Sequence, residues 1–560
     1  LQYQELHVSR GYISSVENTL HFGLGSIEIV DKIAVQWPDG TTLEQDNIKT
    51  NSVLNIKYAD GAKRNLTAAK TAPLFRDIAD SLLKFKHNER SFDDFKTEIL
   101  LPNKLSQSGP FITKGDVNGD DLDDIYISGP AGGTGKLYLQ TAVGFKEKSG
   151  PWLKEKGREE MDAVFFDVDG DQDLDLYVVS GGNEYNYNSP LLIDLLYIND
   201  GKGNFTNESN RLPQIPVGGQ CVITADYDND GDLDLFIGGR QVPGLYPYPP
   251  NSYIFQNNNG QFSDVTSMSP DLKNPGLITD AIFDDFDADG DLDLIVVGEW
   301  MPISFFQNNK GVFSNVTAVY NPNPEVGWWY SIEKGDFNKD GKMDFIVGNL
   351  GENNKFHPSK KYPLEIYCGD FDGNGTNDIV LAGYQDNICY PVRGRQCSSE
   401  QMPFIKDKFP TYDAFAKADL ASIYGQDFLN NAMHYSATNF SSVVLLSENG
   451  GYKVDRLPVY CQLGPINRTL VDDYNKDGNL DILVVGNNFG VEVETIRYDG
   501  GRGVLLIGDG AGNFQQRSPV ESGFFENNDC KDMVQLNFKD KTIVITVSNQ
   551  AEAKTFLLKE

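Results

Sequence analysis

One nine-residue acidic pattern returns seven times in this chain of 560 residues, and that repetition limits the possible folds more than any other feature. It is clearest in "DYDNDGDLD", where Asp226, Asp228, Asp230, Asp232 and Asp234 fall on alternate residues around Gly231. Carboxylates this close disfavour one another's charged form unless a cation lies among them. Side chains at positions 1, 3, 5 and 9, with the carbonyl at position 7, would supply oxygens to one centre. A hard cation such as Ca2+ takes about six to eight of these. No His or Cys lies in the loop, so the donor sets of Zn2+ and Cu2+ are missing. An EF-hand opens the same way but needs Glu at position 12 and a helix after it. Position 12 here is Ile237, in "LDLFIGG", a short apolar run bounded by Gly that reads as a strand.

The candidate ligands follow this template throughout. They are Asp116, Asn118, Asp120, Leu122 through its carbonyl, and Asp124, then Asp167, Asp169, Asp171, Asp173 and Asp175. After the loop at Asp226 come Asp285, Asp287, Asp289, Asp291 and Asp293, then Asp336, Asn338, Asp340, Lys342 by carbonyl, and Asp344. The last two sets are Asp370, Asp372, Asn374, Thr376 by carbonyl and Asp378, and Asp473, Asn475, Asp477, Asn479 by carbonyl and Asp481. Each loop runs into an apolar strand such as "LIVVG" or "ILVVG".

The first aspartates lie 51, 59, 59, 51, 34 and 103 residues apart. That spacing suits a four-stranded propeller blade with long loops. Second hairpins such as "LYINDGKGNF" and "YIFQNNNGQF" support it, because Asn and Gly accept positive φ in turns. The expected fold is all-β: a seven-bladed β-propeller with one Ca2+ loop per blade, plus a small N-terminal β domain. The long gap is read as a helical insert in blade six at about 395–439, helical from about Tyr412 to Tyr424. The short gap after Asp336 is read as a trimmed fifth blade.

The loops resemble FG-GAP/VCBS repeats, the Ca2+-loop blades of integrin α-subunit propellers. The segment "RGYISSVENTLHFGLGSIEIVDKIAVQWPDG" resembles the ASPIC/UnbV domain, which accompanies such repeats in the cartilage acidic protein family and its bacterial relatives. In that segment "DKIAVQW" reads as a strand, "PDG" as a turn and "SVLNIKY" as the return strand. The expected organisation is an ASPIC/UnbV-like domain at 1–58, a linker at 59–71 and the propeller at 72–560. The chain opens within a domain at Leu1, which reads as a piece of a longer polypeptide. The resemblance implies export to the cell surface, the bacterial relatives often being surface lipoproteins, some tied to outer-membrane nutrient uptake.

The formal charge is −33. Seven divalent ions would return +14 of it, so part of the acidity belongs to the loops. No basic patch offsets phosphate, which argues against nucleic acid and anionic membranes. No apolar run reaches the 18 or more residues of a transmembrane helix. Loops of modest Ca2+ affinity fill outside the cytosol, where sites of about 10⁻⁴–10⁻³ M are typical. The six cysteines leave disulfides and free thiols both open, including a local bridge from Cys389 to Cys397.

Propeller connections alternate between two faces. On the face opposite the Ca2+ loops fall Arg240, Tyr246, Tyr248, Glu299, Trp300, Trp328, Trp329, Tyr384, Arg393 and Arg395. Exposed aromatics with Arg make a platform for a glycan or a protein. The competing explanation is that Trp300 and Trp328 only fill space between blades. No H-E-x-x-H, G-x-S-x-G or P-loop motif is present. The sequence therefore reads as a non-enzymatic binding propeller for a protein or glycan, within reach of an outer-membrane assembly. Two rivals are an extracellular Ca2+-dependent polysaccharide lyase or glycosidase and a structural spacer.

Overall fold

The computed structural model describes residues 2–7, 13–63, 72–78 and 82–559. The chain divides into two compact units, Leu1–Ala72 and Pro73–Glu560. Most of the expected linker lies outside the described residues, as do the first residues of the ASPIC/UnbV-like stretch, 10–12. The small unit is built on an antiparallel hairpin, Ile29–Gln36 against Thr41–Lys49, with the short strand Ala62–Lys63 at its edge. The return strand is therefore "TTLEQDNIK" and not "SVLNIKY" as expected. The turn explains the difference. Trp37 and Thr41 pair directly (2.8 Å), so the chain reverses at once. Asp39 then accepts from the Thr41 backbone and hydroxyl and from the Tyr58 hydroxyl, closing the turn.

The large unit is all-β apart from short helices, and it is built from antiparallel sheets, nearly all of four strands. Seven of these sheets adjoin through their first strands: Ile112–Gly115, Glu159–Phe166, Gly219–Ala225, Leu277–Asp284, Ser331–Gly335, Ile466–Asp472 and Cys530–Phe538. The last of these adjoins the first, so the arrangement is a closed, propeller-like circle. These are ring sheets one to seven below. Apolar clusters lie between neighbouring sheets; Leu196, Leu235, Ile237 and Phe255 pack together, as do Phe236, Leu294, Val296 and Phe306. Strands buried on both faces explain the continuous apolar runs after each loop.

Sheet seven closes the circle with strands from both ends of the large unit. Phe75–Asp77 pairs antiparallel with Lys554–Leu558. No acidic loop joins its first two strands; they meet in a tight turn with positive φ at Lys539 and Asp540. The loop from Asp370 lies off the ring. It joins Leu364–Gly369 to Asp378–Gln385, two strands of an eighth four-stranded sheet completed by Ile388–Pro391 and Met433–Ala437. That sheet is inserted into sheet five, between Asp344–Gly348 and Val443–Glu448.

Three expectations change with this topology. The loops do not map one to a ring sheet. Sheet five is interrupted rather than trimmed, because its third and fourth strands, Val443–Glu448 and Gly451–Arg456, return after the insertion. The sheet of the sixth loop, which carries the helices as expected, is not a blade of the ring. The helices run from Arg395–Gln401 to Gln426–Asn431, inside the inserted sheet. A period count alone could not separate a long gap within one sheet from a whole sheet inserted in its neighbour.

Phe75 is buried and packs its ring against Tyr474 and Phe524 at 5.4 and 5.6 Å. It lies in the strand that pairs the start of the large unit with the edge of sheet seven. Phe75→Ala should cost about 3–5 kcal/mol in urea unfolding. A cost below about 1 kcal/mol would show that closure depends little on this strand.

Candidate metal centres

Within each loop the aspartates fold the chain around themselves before any ion is considered. In the loop from Asp226, Asp226 accepts the N–H groups of Asp230 (3.0 Å) and Gly231 (3.1 Å). Asp228 accepts from Asp230, and Asp230 from Asp232. The pattern recurs from Asp285, Asp336, Asp370 and Asp473. With its donors turned inward, the backbone draws the carboxylates to a common centre. Gly231, Gly290, Gly341 and Gly478 sit at φ between +83° and +98°, a conformation that favours glycine.

Position 9 is the anchor. Asp124, Asp175, Asp234, Asp293, Asp344, Asp378 and Asp481 are all buried. In the six ring loops one oxygen of this residue accepts a third-strand N–H: Gln140, Asn199, Asn257, Asn308, Ser447 or Gly508, at 2.7–3.0 Å. The second oxygen commonly accepts the N–H at position 2, as Asp175 does from Val168 and Asp344 from Phe337.

The donor set fits a hard cation. In the loops from Asp167, Asp226, Asp285 and Asp370, three carboxylates bring oxygens within 4.8 Å of one another. Among them are Asp167, Asp169 and Asp175, and Asp370, Asp372 and Asp378. Oδ2 of Asp234, Oδ2 of Asp293 and Oδ1 of Asp173 are buried without a hydrogen-bond partner. Burial first, then the charges of loop neighbours, pushes Asp175, Asp234, Asp293 and Asp378 up to about 7. Asp124, Asp173 and Asp481 rise to about 6 for the same reasons. A cation at the centre would oppose both effects. The loops from Asp116, Asp336 and Asp473 carry Asn at position 3, and no group of three converging carboxylates forms there among the described residues. At position 7, the Asp232 side chain turns away to accept from Asn259, and Asp291 accepts from Asn229 of the neighbouring loop.

Residues missed by the sequence reading join one loop to the next. Nδ2 of Asn199 donates to the carbonyls of Val117 in loop one and Leu174 in its own loop, at 2.8 and 3.0 Å. Asn257 bridges Val168 and Leu233, and Asn308 bridges Tyr227 and Leu292, in the same manner. A recurring Asn at the end of each aromatic third strand ("YIND", "FQNN") was the available signal. It was read only as a turn residue.

The expected recognition residues mostly lie inside the molecule. Arg240, Tyr246, Glu299, Trp300, Trp328, Trp329 and Arg393 are buried, Tyr248 and Arg395 are half-buried, and only Tyr384 is exposed. The inserted sheet and its helices account for this. Tyr246, Trp300 and Trp328 share one apolar cluster with Leu364, Ile366, Ile379, Ile405 and Ile423 of the insertion. Trp300 and Trp328 stack edge to face at 5.0 Å. Glu299 is held by Arg240 (2.6 Å) and Tyr246 (3.2 Å), and Trp300 Nε1 donates to the Tyr246 hydroxyl. Trp329 Nε1 donates to the Met301 carbonyl. Arg393 pairs with Glu492, Arg395 donates to the Phe409 carbonyl, and Tyr384 donates to Glu365. All six cysteines are free thiols.

Part of this repeated pattern of loops and antiparallel sheets matches a known repeat family. The FG-GAP-like repeat family matches residues 116–178, 167–237 and 285–347, and the ASPIC and UnbV family matches residues 1–63. Residues 116–237 and 285–347 thus carry FG-GAP-like repeats, and residues 1–63 an ASPIC and UnbV segment. It is 31% identical to human cartilage acidic protein 1 over 141 residues, 24% of this chain and 21% of that protein. It is 22% identical to phosphatidylinositol-glycan-specific phospholipase D of Dictyostelium discoideum over 390 residues, 62% of this chain and 38% of that one. The chain therefore spans well under half the length of these relatives. Among solved structures, the biofilm matrix protein Bap1 of V. cholerae aligns over 86% of this chain and 91% of its own at 11% identity, with a TM-score of 0.34.

Two outcomes follow from this geometry. Asn257→Ala leaves two buried carbonyls without a donor and should cost at least about 1–3 kcal/mol, equally with Ca2+ and with EDTA. A loss seen only with Ca2+ would place Asn257 in the ion's shell instead. Trp300→Ala should cost about 3–5 kcal/mol, read as a lower midpoint in chemical denaturation. An unchanged midpoint would mean that the insertion does not depend on this packing.

Proposed function

We propose that the large unit is a seven-bladed propeller that binds Ca2+ in its acidic loops and serves as a non-enzymatic binding module outside the cytosol. The observation that carries this reading is the buried, unpartnered carboxylate oxygen at position 9 of the loops from Asp226 and Asp285. An unpaired acceptor in a buried acidic loop is costly unless a cation meets it. The ion would be held by the carboxylates at positions 1, 3, 5 and 9. Filling several loops would tie first and second strands together around the ring and stiffen it.

Non-catalytic action is supported by Glu299, the acid best placed for chemistry, which is buried and engaged by Arg240 and Tyr246. Because the insertion covers one ring face, recognition of a protein or glycan partner falls to the insertion itself. Tyr384, Ile388, Tyr412 and Phe428 are its exposed apolar residues. Export is supported by the acidic loops and by likeness to a protein named for cartilage. An outer-membrane uptake assembly, reached by a lipoprotein form of the chain, is the partner setting in this reading. Among the described residues no helix is long and apolar enough to cross a membrane.

A loop filled at 100 times its Kd gains about 2.7 kcal/mol. Asp285→Ala should therefore lower Tm clearly in millimolar Ca2+ and little in EDTA. Equal loss in both would show that hydrogen bonds alone hold the loop. In the same buffer, a panel of acidic and neutral polysaccharides should remain intact; released oligosaccharide would replace this reading with a lyase or glycosidase.

A further inference from the structure

A cavity of about 330 Å³ lies on the axis of the ring, and the first strand of every ring sheet contributes to its wall. That volume is at the lower end of the range for small-molecule sites, about 300–1,000 Å³. Its acids are positioned by the backbone. Asp162 accepts the N–H of Ala163 (2.8 Å) and of Val222 on the next ring strand (2.9 Å). Asp280 does the same with Ala281 and Ile332, both at 2.9 Å, and Asp532 with Met533 (2.8 Å) and Ile112 (2.9 Å). These carboxylates stitch strand to strand and keep spare lone pairs. Glu333 is the fourth acid of the wall.

Arg468 stands among them. Its Nε lies 3.3 Å from Asp532, yet it has no hydrogen-bond partner. Its side chain is 38% exposed, and that exposure faces the cavity it lines. The three other basic residues of the wall are engaged elsewhere, Arg240 with Glu299 at 2.6 Å, Lys531 with Asp529 at 2.7 Å and Lys104 with the Gln107 side chain at 3.3 Å. Arg468 therefore presents a planar fork of donors beside four acceptors.

The charge balance selects the ligand. An anion would be repelled by the four acids, and a cation, though drawn to them, would leave the donors of Arg468 without an acceptor. A neutral molecule with several hydroxyls satisfies both sets, donating O–H to the carboxylates and accepting from the guanidinium. We propose that this axial cavity binds a neutral mono- or disaccharide, held by Arg468 and Glu333. The site is separate from the acidic loops and does not rest on their metal binding.

The test uses the full chain with glucose, galactose, mannose and cellobiose at millimolar concentration, and with spermidine and citrate as charged controls. At least one sugar should raise Tm and show saturation transfer in NMR, while both controls stay silent. Arg468→Met should weaken sugar binding at least tenfold. Because that variant leaves four acids without their cation and endangers the fold, Glu333→Gln is the second variant. It should weaken binding about fivefold or more with Tm unchanged in the absence of sugar. Asp285→Ala should leave sugar binding intact. Silence from all four sugars, a response only to spermidine or citrate, or binding that survives Glu333→Gln would each overturn the proposal.

Discussion

The buried aspartate at the end of each ring loop is the contact on which the architecture rests. One of its oxygens receives a third-strand N–H, which fixes the loop to a strand that does not adjoin it in sequence. The loop's own backbone donors gather at position 1. The result is a charge held in place by hydrogen bonds and surrounded by apolar strands, a costly arrangement without compensation. Asp378 shows the dependence by contrast. In its sheet the following strand, Ile388–Pro391, pairs only with Ala382–Gln385 and stops short of the loop's exit. Its backbone donors come from the loop itself, chiefly Phe371 at position 2 (2.9 Å).

How far the fold could be read in advance follows from the range of each signal. The acidic loops and the apolar strands after them are local patterns, and the sheets formed where those patterns predicted. Connectivity is not local. Nothing within Leu364–Gly369 says that its sheet is inserted between the second and third strands of another. Nothing in "LFRD" says that it completes a sheet begun at Cys530. The same limit applies to the candidate site. Position 9 was legible because it repeats. The bridging role of Asn199, Asn257 and Asn308 was not, because its partners lie on a neighbouring sheet.

The misread recognition face has a specific cause. Large aromatics at strand ends are compatible with both a binding platform and an internal contact, and the choice depends on what covers them. Trp300 adopts φ of +60°, unusual for a bulky side chain. Its indole N–H reaches Tyr246, whose hydroxyl reaches Glu299, whose other oxygen meets Arg240. This chain of contacts ties up the polar side-chain atoms of Trp300, Tyr246 and Glu299, while Nε of Arg240 stays buried without a partner. Such pairing is what a polar group needs if it is to be buried beneath an apolar cap.

That cap is also tied to a strap. Residues 94–107 cross the same face, with Asp94 accepting from Ser106 and Asn183, Glu98 accepting from Asn183 and the Tyr246 backbone, and Lys104 pairing with Gly490. Arg393 comes from the insertion, pairs with Glu492 in the connection between the second and third strands of sheet six, and donates to the Leu101 carbonyl of the strap. Removing the insertion would strand Glu492 and the Leu101 carbonyl and expose Trp300 and Trp328. Breaking a buried ion pair on one side costs about 3–5 kcal/mol, and the apolar exposure adds to it. The insertion is therefore part of the folded ring and not a separable module, so a partner gripping it would engage the ring as one body.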